Sequence, residues 1–339
     1  MSMNFVLRNV QLTDLKGLYD LASQFSLLNL PADRKVLGEK IERSVASFSG
    51  ELEKKDAEYL FVVEDVEQEM LVGSSLILAK HGSEDVPHNY FKIVKRDRFS
   101  EDLGIGFIHQ VLQFREDTDG PTEIGGLLVD RSYRRRPEKL GRQISLVRFV
   151  YMGMYPNDFE KRVLCELTPP LGDGGRSEFW EALGRRFTGL PYQEADLISQ
   201  KNKEFIASLF PEEDIYLCLL DSRARLVLGR VGDETRPAQH LLESLGFTYL
   251  HEVDPFDGGP HYGANLSVID LVKNGKWSKL STSEKGQFAS RAFVGLKREG
   301  EFRAVFTPYD LQDGKINVPA SVGHALSAEA GEKIFYSAP

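Results

Sequence analysis

The chain is poor in cysteine and tryptophan, with two of each in 339 residues. Two thiols build no disulfide framework. Cys165 and Cys218 each sit in an apolar stretch and are expected as buried, reduced side chains. Any apolar run long enough for a membrane span is also missing. No basic, apolar leader opens the chain, because Met-Ser-Met-Asn-Phe-Val-Leu-Arg passes straight into a strand-like pattern. The expectation is a soluble protein in the reducing cytoplasm, with no membrane partner. No cysteine or histidine spacing resembles a zinc site, and neither a Walker loop nor Gly-x-Ser-x-Gly occurs, so no metal is expected and hydrolase and nucleotidase readings lack support. An excess of positive charge is absent too: 42 Lys and Arg against 51 Asp and Glu leave −9, which repels nucleic-acid backbones and argues against such a partner.

What is present is the mixture of an ordinary globular protein, 41% hydrophobic and 27% charged, long enough for about two domains. Phe5 to Val10 reads as a strand, and Thr13-Asp14-Leu15 as the capped start of a helix. A second helix is expected from Asp33 to Phe48, stopped by Gly50. Tyr59 to Glu64 and Met70 to Ala79 read as a hairpin. From His81 to Asp119 the pattern is irregular, with one strand at Ile108 to Phe114. Strand pattern returns at Glu123 to Asp130, followed by a basic turn, an apolar helix from Gly141 to Met154 and a strand from Val163 to Leu167. This order suits a mixed α/β sheet flanked by helices.

Two later segments look alike. Ser177 to Phe187 and Ala238 to Phe247 each read as a helix closing on Leu-Gly with an aromatic beyond, which suggests a repeated half-unit; chance recurrence of a common helix cap is the competing reading. After Leu271, Phe288 to Leu296, Glu301 to Phe306 and Lys315 to Val318 look like short strands of a small β-rich module.

Leu127 to Gln143 is the most informative stretch, a strand running into a basic loop and then into a helix. Unpaired amides at the helix start and neighbouring arginines suit a pyrophosphate; a solvated arginine run is the plain alternative. The segment resembles the acyl-CoA loop of GNAT acyltransferases at Asp130, Tyr133 and Arg134, with the six-residue frame from Arg136 to Gly141. It departs from that pattern at Lys139, where a glycine is expected, at Pro137, which lacks an amide donor, and at Glu138, which brings negative charge.

A closer resemblance, over roughly residues 1 to 335, is to the arginine N-succinyltransferase family. Leu30-Pro31-Ala32, Ile41-Glu42-Arg43-Ser44, Tyr59 to Asp65, His88-Asn89-Tyr90, Arg176 to Gly184, Asn202 to Ala207 and Thr235 to Ala238 resemble family segments, and Phe256-Asp257-Gly258-Gly259-Pro260 matches outright. The resemblance implies transfer of succinyl from succinyl-CoA to the α-amino group of arginine, with small-molecule substrates and no metal. The expected organisation is a GNAT-like acyl-CoA-binding domain over 1–200, a second GNAT-like half over 201–270 and the β-rich module over 271–339. An oligomer with itself or with a related subunit is compatible with it.

For acyl-CoA the candidate residues are Leu127, Val129, Arg134, Arg135, Arg136, Lys139, Gly141 and Arg142; Leu127 stands where the family places a succinyl-CoA-binding leucine. Glu123 and Glu166 are candidates for the base that takes the ammonium proton, each with the alternative of a plain strand-end charge. Asn89, Tyr90, Asp233 and Glu234 are candidates for the acceptor, the acidic pair having a polar turn as its alternative. His240 and His251 have no local partner that marks them as catalytic and are expected as surface or satisfied histidines. Gly232 stands where the family has a proton-donor histidine, and Glu166-Leu167-Thr168-Pro169 where it has Glu-Met-Arg-Gly. An altered acceptor or acyl group, ornithine for instance, or a non-catalytic partner subunit are therefore the alternatives. In an active enzyme with a relaxed site, Gly232→His is expected to raise kcat.

Overall fold

The computed structural model describes residues 4–25, 30–199, 204–284, 286 and 288–339. Asn202 and Lys203, part of one resemblance above, lie outside these. The order runs β1 (Phe5–Asn9), α1 (Leu15–Ala22), α2 (Arg34–Ser49), β2 (Glu58–Asp65), β3 (Met70–Leu78), β4 (His88–Ser100), β5 (Ile105–Asp117), β6 (Thr122–Val129), α3 (Leu140–Met154) and β7 (Arg162–Glu166). Short helices follow between 178 and 209, then β8 (Ile215–Tyr216), a helix Arg236–Ser244, β9 (Thr248–Val253) and β10 (Pro260–Asn265). The chain ends on β11 (Lys276–Ser283), β12 (Ser290–Arg298), β13 (Glu301–Gln312), β14 (Lys315–Pro319) and β15 (Lys333–Ser337).

Local chemistry accounts for the early elements. Asp33 caps α2 by accepting from the amides of Lys35 and Val36 at 2.8 and 3.1 Å, and Gly50 ends it with φ of +78°. At α1 the expected cap is otherwise engaged. Asp14 accepts from the buried guanidinium of Arg8 at 2.7 and 3.0 Å and from the Gln11 amide at 2.7 Å.

The chain divides into two compact units that interleave in sequence: residues 1–80, 122–161 and 265–339, and residues 81–121 and 162–264. These are not the contiguous segments 1–200, 201–270 and 271–339. In the first unit the strand order is β12, β15, β11, β14, β13, β1, β2, β3, β6. The β-rich C-terminal strands exist, but β13 pairs antiparallel with β1, Leu7 opposite Ala304, and the amide of Phe302 donates to the Asn9 side chain at 2.9 Å. The last strands therefore extend the first sheet. Because β12 also pairs with β13, they close into a ring filled by Val294, Val305, Ile316, Val318 and Leu326.

In the second unit the order is β7, β10, β9, β4, β5, β8. The segment expected to be irregular is instead a long hairpin: β4 and β5 pair from His88 opposite Asp117 to Ser100 opposite Ile105. Its outer half escaped the sequence pattern because Phe99, Ile105, Phe107 and Ile108 are exposed there, so no inward face exists to impose alternation. The unit's core gathers Phe91, Phe179, Trp180, Ile206, Val253 and Phe256.

The two Leu-Gly segments both lie in this second unit, so they do not close separate halves. Their glycines also differ. Gly246 has φ of +91° and stops a helix, whereas Gly184 starts one, and a Cβ there would meet the Trp180 ring at 2.3 Å. The likeness is a coincidence of two different backbone needs. Cys165 is buried as expected, but Cys218 is exposed, because Leu217–Leu219 forms a surface 3-10 turn and no core strand. Among the described residues, no helix is long and apolar enough to cross a membrane.

Candidate active site

The basic loop lies in the first unit, between β6 and α3. β6 carries a bulge: its register against β3 shifts near Ser74 and Leu76, and Gly126 takes φ of +57°, where a Cβ would meet Leu76 at 2.9 Å. Leu128 faces a hydrophobic core, which turns the half-exposed Leu127 to the other side of the strand. Val129 ends the strand and is buried. Glu123, 6% exposed, sits at the strand's opposite end, opposite Leu78.

Side chains hold the loop's shape. Asp130 accepts from the amide and hydroxyl of Ser132 at 2.8 and 2.5 Å and from Gln24 at 2.6 Å. Burial works against its charge, but these bonds outweigh it and keep the carboxyl below its usual range. Tyr133 donates its hydroxyl to Asp65 at 2.8 Å. Arg134 donates to the Val129 carbonyl at 3.2 Å and packs 4.6 Å over Phe25, while Arg136 lies 3.8 Å over the Tyr133 ring. Arg135 and Lys139 adopt positive φ, +61° and +54°, so the loop turns sharply before α3 without the glycine that could stand at Lys139. Gly141 and Arg142 occupy the first turn of α3. A Cβ on Gly141 would make only an ordinary 3.5 Å contact with Val129, so no protein packing requires glycine there.

In the second unit, β7, β10, β9 and β4 line up a polar group that sequence spacing did not reveal. His261, on β10, is fully buried between two carboxylates: Nε2 lies 3.5 Å from Glu166 on β7, and Nδ1 lies 3.8 Å from Glu252 on β9. Burial alone would push the imidazole toward neutrality, but Glu252 and Glu166 outweigh it and raise its pKa. On β4, His88 Nδ1 is 3.9 Å from Glu166, and Lys92 contacts Glu252 at 2.9 Å. His81 packs edge-on against His88 with centroids 4.4 Å apart, and Tyr90 stacks on His88 at 5.4 Å. Asn89 and Tyr90 thus fall in one neighbourhood with Glu166. Asp233 and Glu234 do not: both are exposed, and Asp233 pairs with Arg236 at 2.8 Å at the start of the following helix. His240 and His251 are exposed, as expected.

Gly232 is pinned. Its amide donates to the Thr168 carbonyl at 3.0 Å, and a Cβ there would stand 2.9 Å from the Pro169 carbonyl oxygen. On this backbone no side chain, histidine included, enters without displacing main chain, so the expected gain from Gly232→His does not follow. The Phe256 to Pro260 motif is likewise structural. Gly258, at φ of +76°, lies against Phe179, and a Cβ on Gly259 would meet the Leu167 carbonyl at 2.4 Å.

The family model described as arginine N-succinyltransferase beta subunit matches residues 5–271. Arginine N-succinyltransferases of Shigella boydii and of Salmonella paratyphi B are each 32% identical over 336 residues, covering 97% of this chain and 96% of theirs. The solved structure of arginine/ornithine succinyltransferase subunit AI from Pseudomonas aeruginosa superposes with a TM-score of 0.87 at 27% identity, over 100% of this chain and 99% of that one. Likeness of sequence and of fold thus runs from end to end, through the mixed α/β sheets as well as the loop, and the chain belongs to the arginine N-succinyltransferase family.

Proposed function

We propose that this protein transfers the succinyl group of succinyl-CoA to the α-amino group of arginine. The observation that carries the reading is the end-to-end relationship to curated arginine N-succinyltransferases. The β6 to α3 loop supports it: helix-start amides and the guanidinium groups of Arg134, Arg135, Arg136 and Arg142, with Lys139, supply donors for the pyrophosphate. Half-exposed Leu127 offers apolar surface to the pantetheine end of the cofactor, with Val129 buried behind the turn into the loop.

In the reaction the neutral amine attacks the thioester carbonyl, the C–N bond forms, the C–S bond breaks and the thiolate departs. The ammonium proton must first be taken up, and we assign that to Glu123, the buried carboxylate on the strand that feeds the cofactor loop. A thiol with a pKa of about 8.5 leaves without strong acid assistance, so the absence of a side chain at Gly232 is compatible with turnover. Asn89 and Tyr90 are the acceptor candidates we retain, and the exposed Asp233 and Glu234 are weaker ones. Ornithine is a second acceptor, favoured by the dual name of the Pseudomonas aeruginosa structure.

The test is thiol release from succinyl-CoA by the purified chain with arginine, then with ornithine. Glu123→Gln is expected to lower kcat by about 10² to 10⁴ with little change in CoA affinity. No release with either amino acid would sink the enzymatic reading in favour of a non-catalytic subunit; full activity of Glu123→Gln would remove Glu123 from the chemistry.

A further inference from the structure

The transfer chemistry assigned above makes no use of His81, His88 or His261, nor of the Glu166 they surround. We propose that His81, His88 and Glu166 form a site for a divalent transition-metal cation of the zinc type, with His261 seated behind Glu166 to orient it.

One ligand atom from each of His81, His88 and Glu166 lies within 4.8 Å of the other two. The separations within the group are the first argument. A nitrogen and an oxygen sharing a proton lie about 2.7 to 3.2 Å apart, whereas two donors on one tetrahedral zinc, each bonded at about 2.0 to 2.1 Å, lie roughly 3.3 to 3.5 Å apart. Within the ligand set, His88 Nδ1 stands 3.9 Å from a Glu166 oxygen, too long for a hydrogen bond and near the separation of two donors held by a common ion; His261 Nε2, 3.5 Å from the same oxygen, is its neighbour on the other side.

Charge is the second argument. Glu166 and Glu252 bring two carboxylates to buried imidazoles, His88 at 3% and His261 at 0% exposure, and Lys92 contacts Glu252. Lys92 is engaged with Glu252, and a dication would be the partner of Glu166. Donor type selects the cation: two imidazoles and one carboxylate suit zinc and its neighbours, whereas calcium and magnesium prefer an all-oxygen shell. Glu166 remains 28% exposed, which leaves a side of the site open to a further ligand. The ion would tie the turn between His81 and His88 to the end of β7, and its binding energy would add to the stability of the second unit.

The experiment is calorimetry of the full chain, stripped with a chelator, against zinc chloride, with cobalt(II) absorption as a report on coordination. One equivalent is expected to bind, with the visible cobalt bands of a low-coordinate nitrogen and oxygen shell, and with zinc raising the thermal midpoint. His81→Ala, at a partly exposed position, and Glu166→Gln should each weaken binding at least tenfold, while His240→Ala, on the exposed helix, should leave it unchanged. Circular dichroism of each variant establishes that it is folded. The proposal is overturned if the stripped wild type takes up no stoichiometric zinc or cobalt, if folded His81→Ala binds as tightly as wild type, or if the histidines merely exchange protons by NMR with no metal bound. None of these outcomes depends on whether arginine is the acceptor.

Discussion

Arg148 of α3, 2% exposed, donates from its guanidinium to the carbonyl of Gly125 at 3.2 Å, immediately before the left-handed Gly126 that makes the β6 bulge. The same side chain bonds the Ser145 carbonyl and hydroxyl at 3.0 and 2.8 Å, so a buried charge fixes the bulge to the helix that follows the basic loop. Arg148→Met should lose about 2 to 4 kcal/mol of stability, because it leaves a buried carbonyl and hydroxyl without their charged donor. Urea melts give the value. A loss under about 0.5 kcal/mol would mean that the bulge holds itself.

Arg134 and Arg136 are already braced against Phe25, Tyr133 and nearby carbonyls before any ligand arrives. Little side-chain entropy remains to be lost on binding. Replacing either with alanine should weaken CoA roughly tenfold, and added salt should narrow the gap. Titration of CoA into each variant measures this, and affinity equal to wild type would remove the loop from the binding site.

At Gly232 the expectation is steric. Gly232→His must push aside the Pro169 carbonyl, so kcat should not rise, and stability should fall by roughly 1 to 3 kcal/mol. Gly232→Ala meets the same oxygen and should show the same sign. An active, stable Gly232→His enzyme with a higher kcat would show that the 166–169 segment yields.

Asp257 is buried beside Asp254, and burial holds its carboxyl well above the usual aspartate range, although the Gly259 amide donates to it at 2.7 Å. The folded chain therefore keeps a proton that the unfolded chain releases above about pH 4. Stability from that proton is complete below the unfolded pKa and drains away as pH climbs toward the folded value. Asp257→Asn retains an acceptor for Gly259 and carries no charge. It should be more stable than wild type near pH 8, with the difference shrinking toward pH 4. Denaturation at several pH values tests the slope; a pH-independent difference would put the cause in packing.

The loop was legible in the sequence because its parts are contiguous: a strand, a run of arginines and a helix start need no long-range information. The same holds for α2, whose Asp33 and Gly50 caps act within a turn of the helix. The histidine group was not legible, since residues 81, 88, 166 and 261 come together from a loop and three separate strands, and no local spacing encodes that meeting. The β4 to β5 hairpin hid for another reason, its tip having no buried face to impose a period. Glu123 and Glu166 were equal in sequence as strand-end carboxylates; their surroundings separate them, one buried on β6 and the other among imidazoles.

The pairing of β1 with β13 also constrains how the chain is made. Phe302 and Asn9, joined by a hydrogen bond, are 293 positions apart. On the ribosome, β1 emerges long before its neighbour β13 and must wait for it. Until then its free edge is exposed to other chains and to chaperones. Premature termination before β13 should thus yield no smaller working enzyme but a nascent protein with an open sheet, destined for aggregation or degradation.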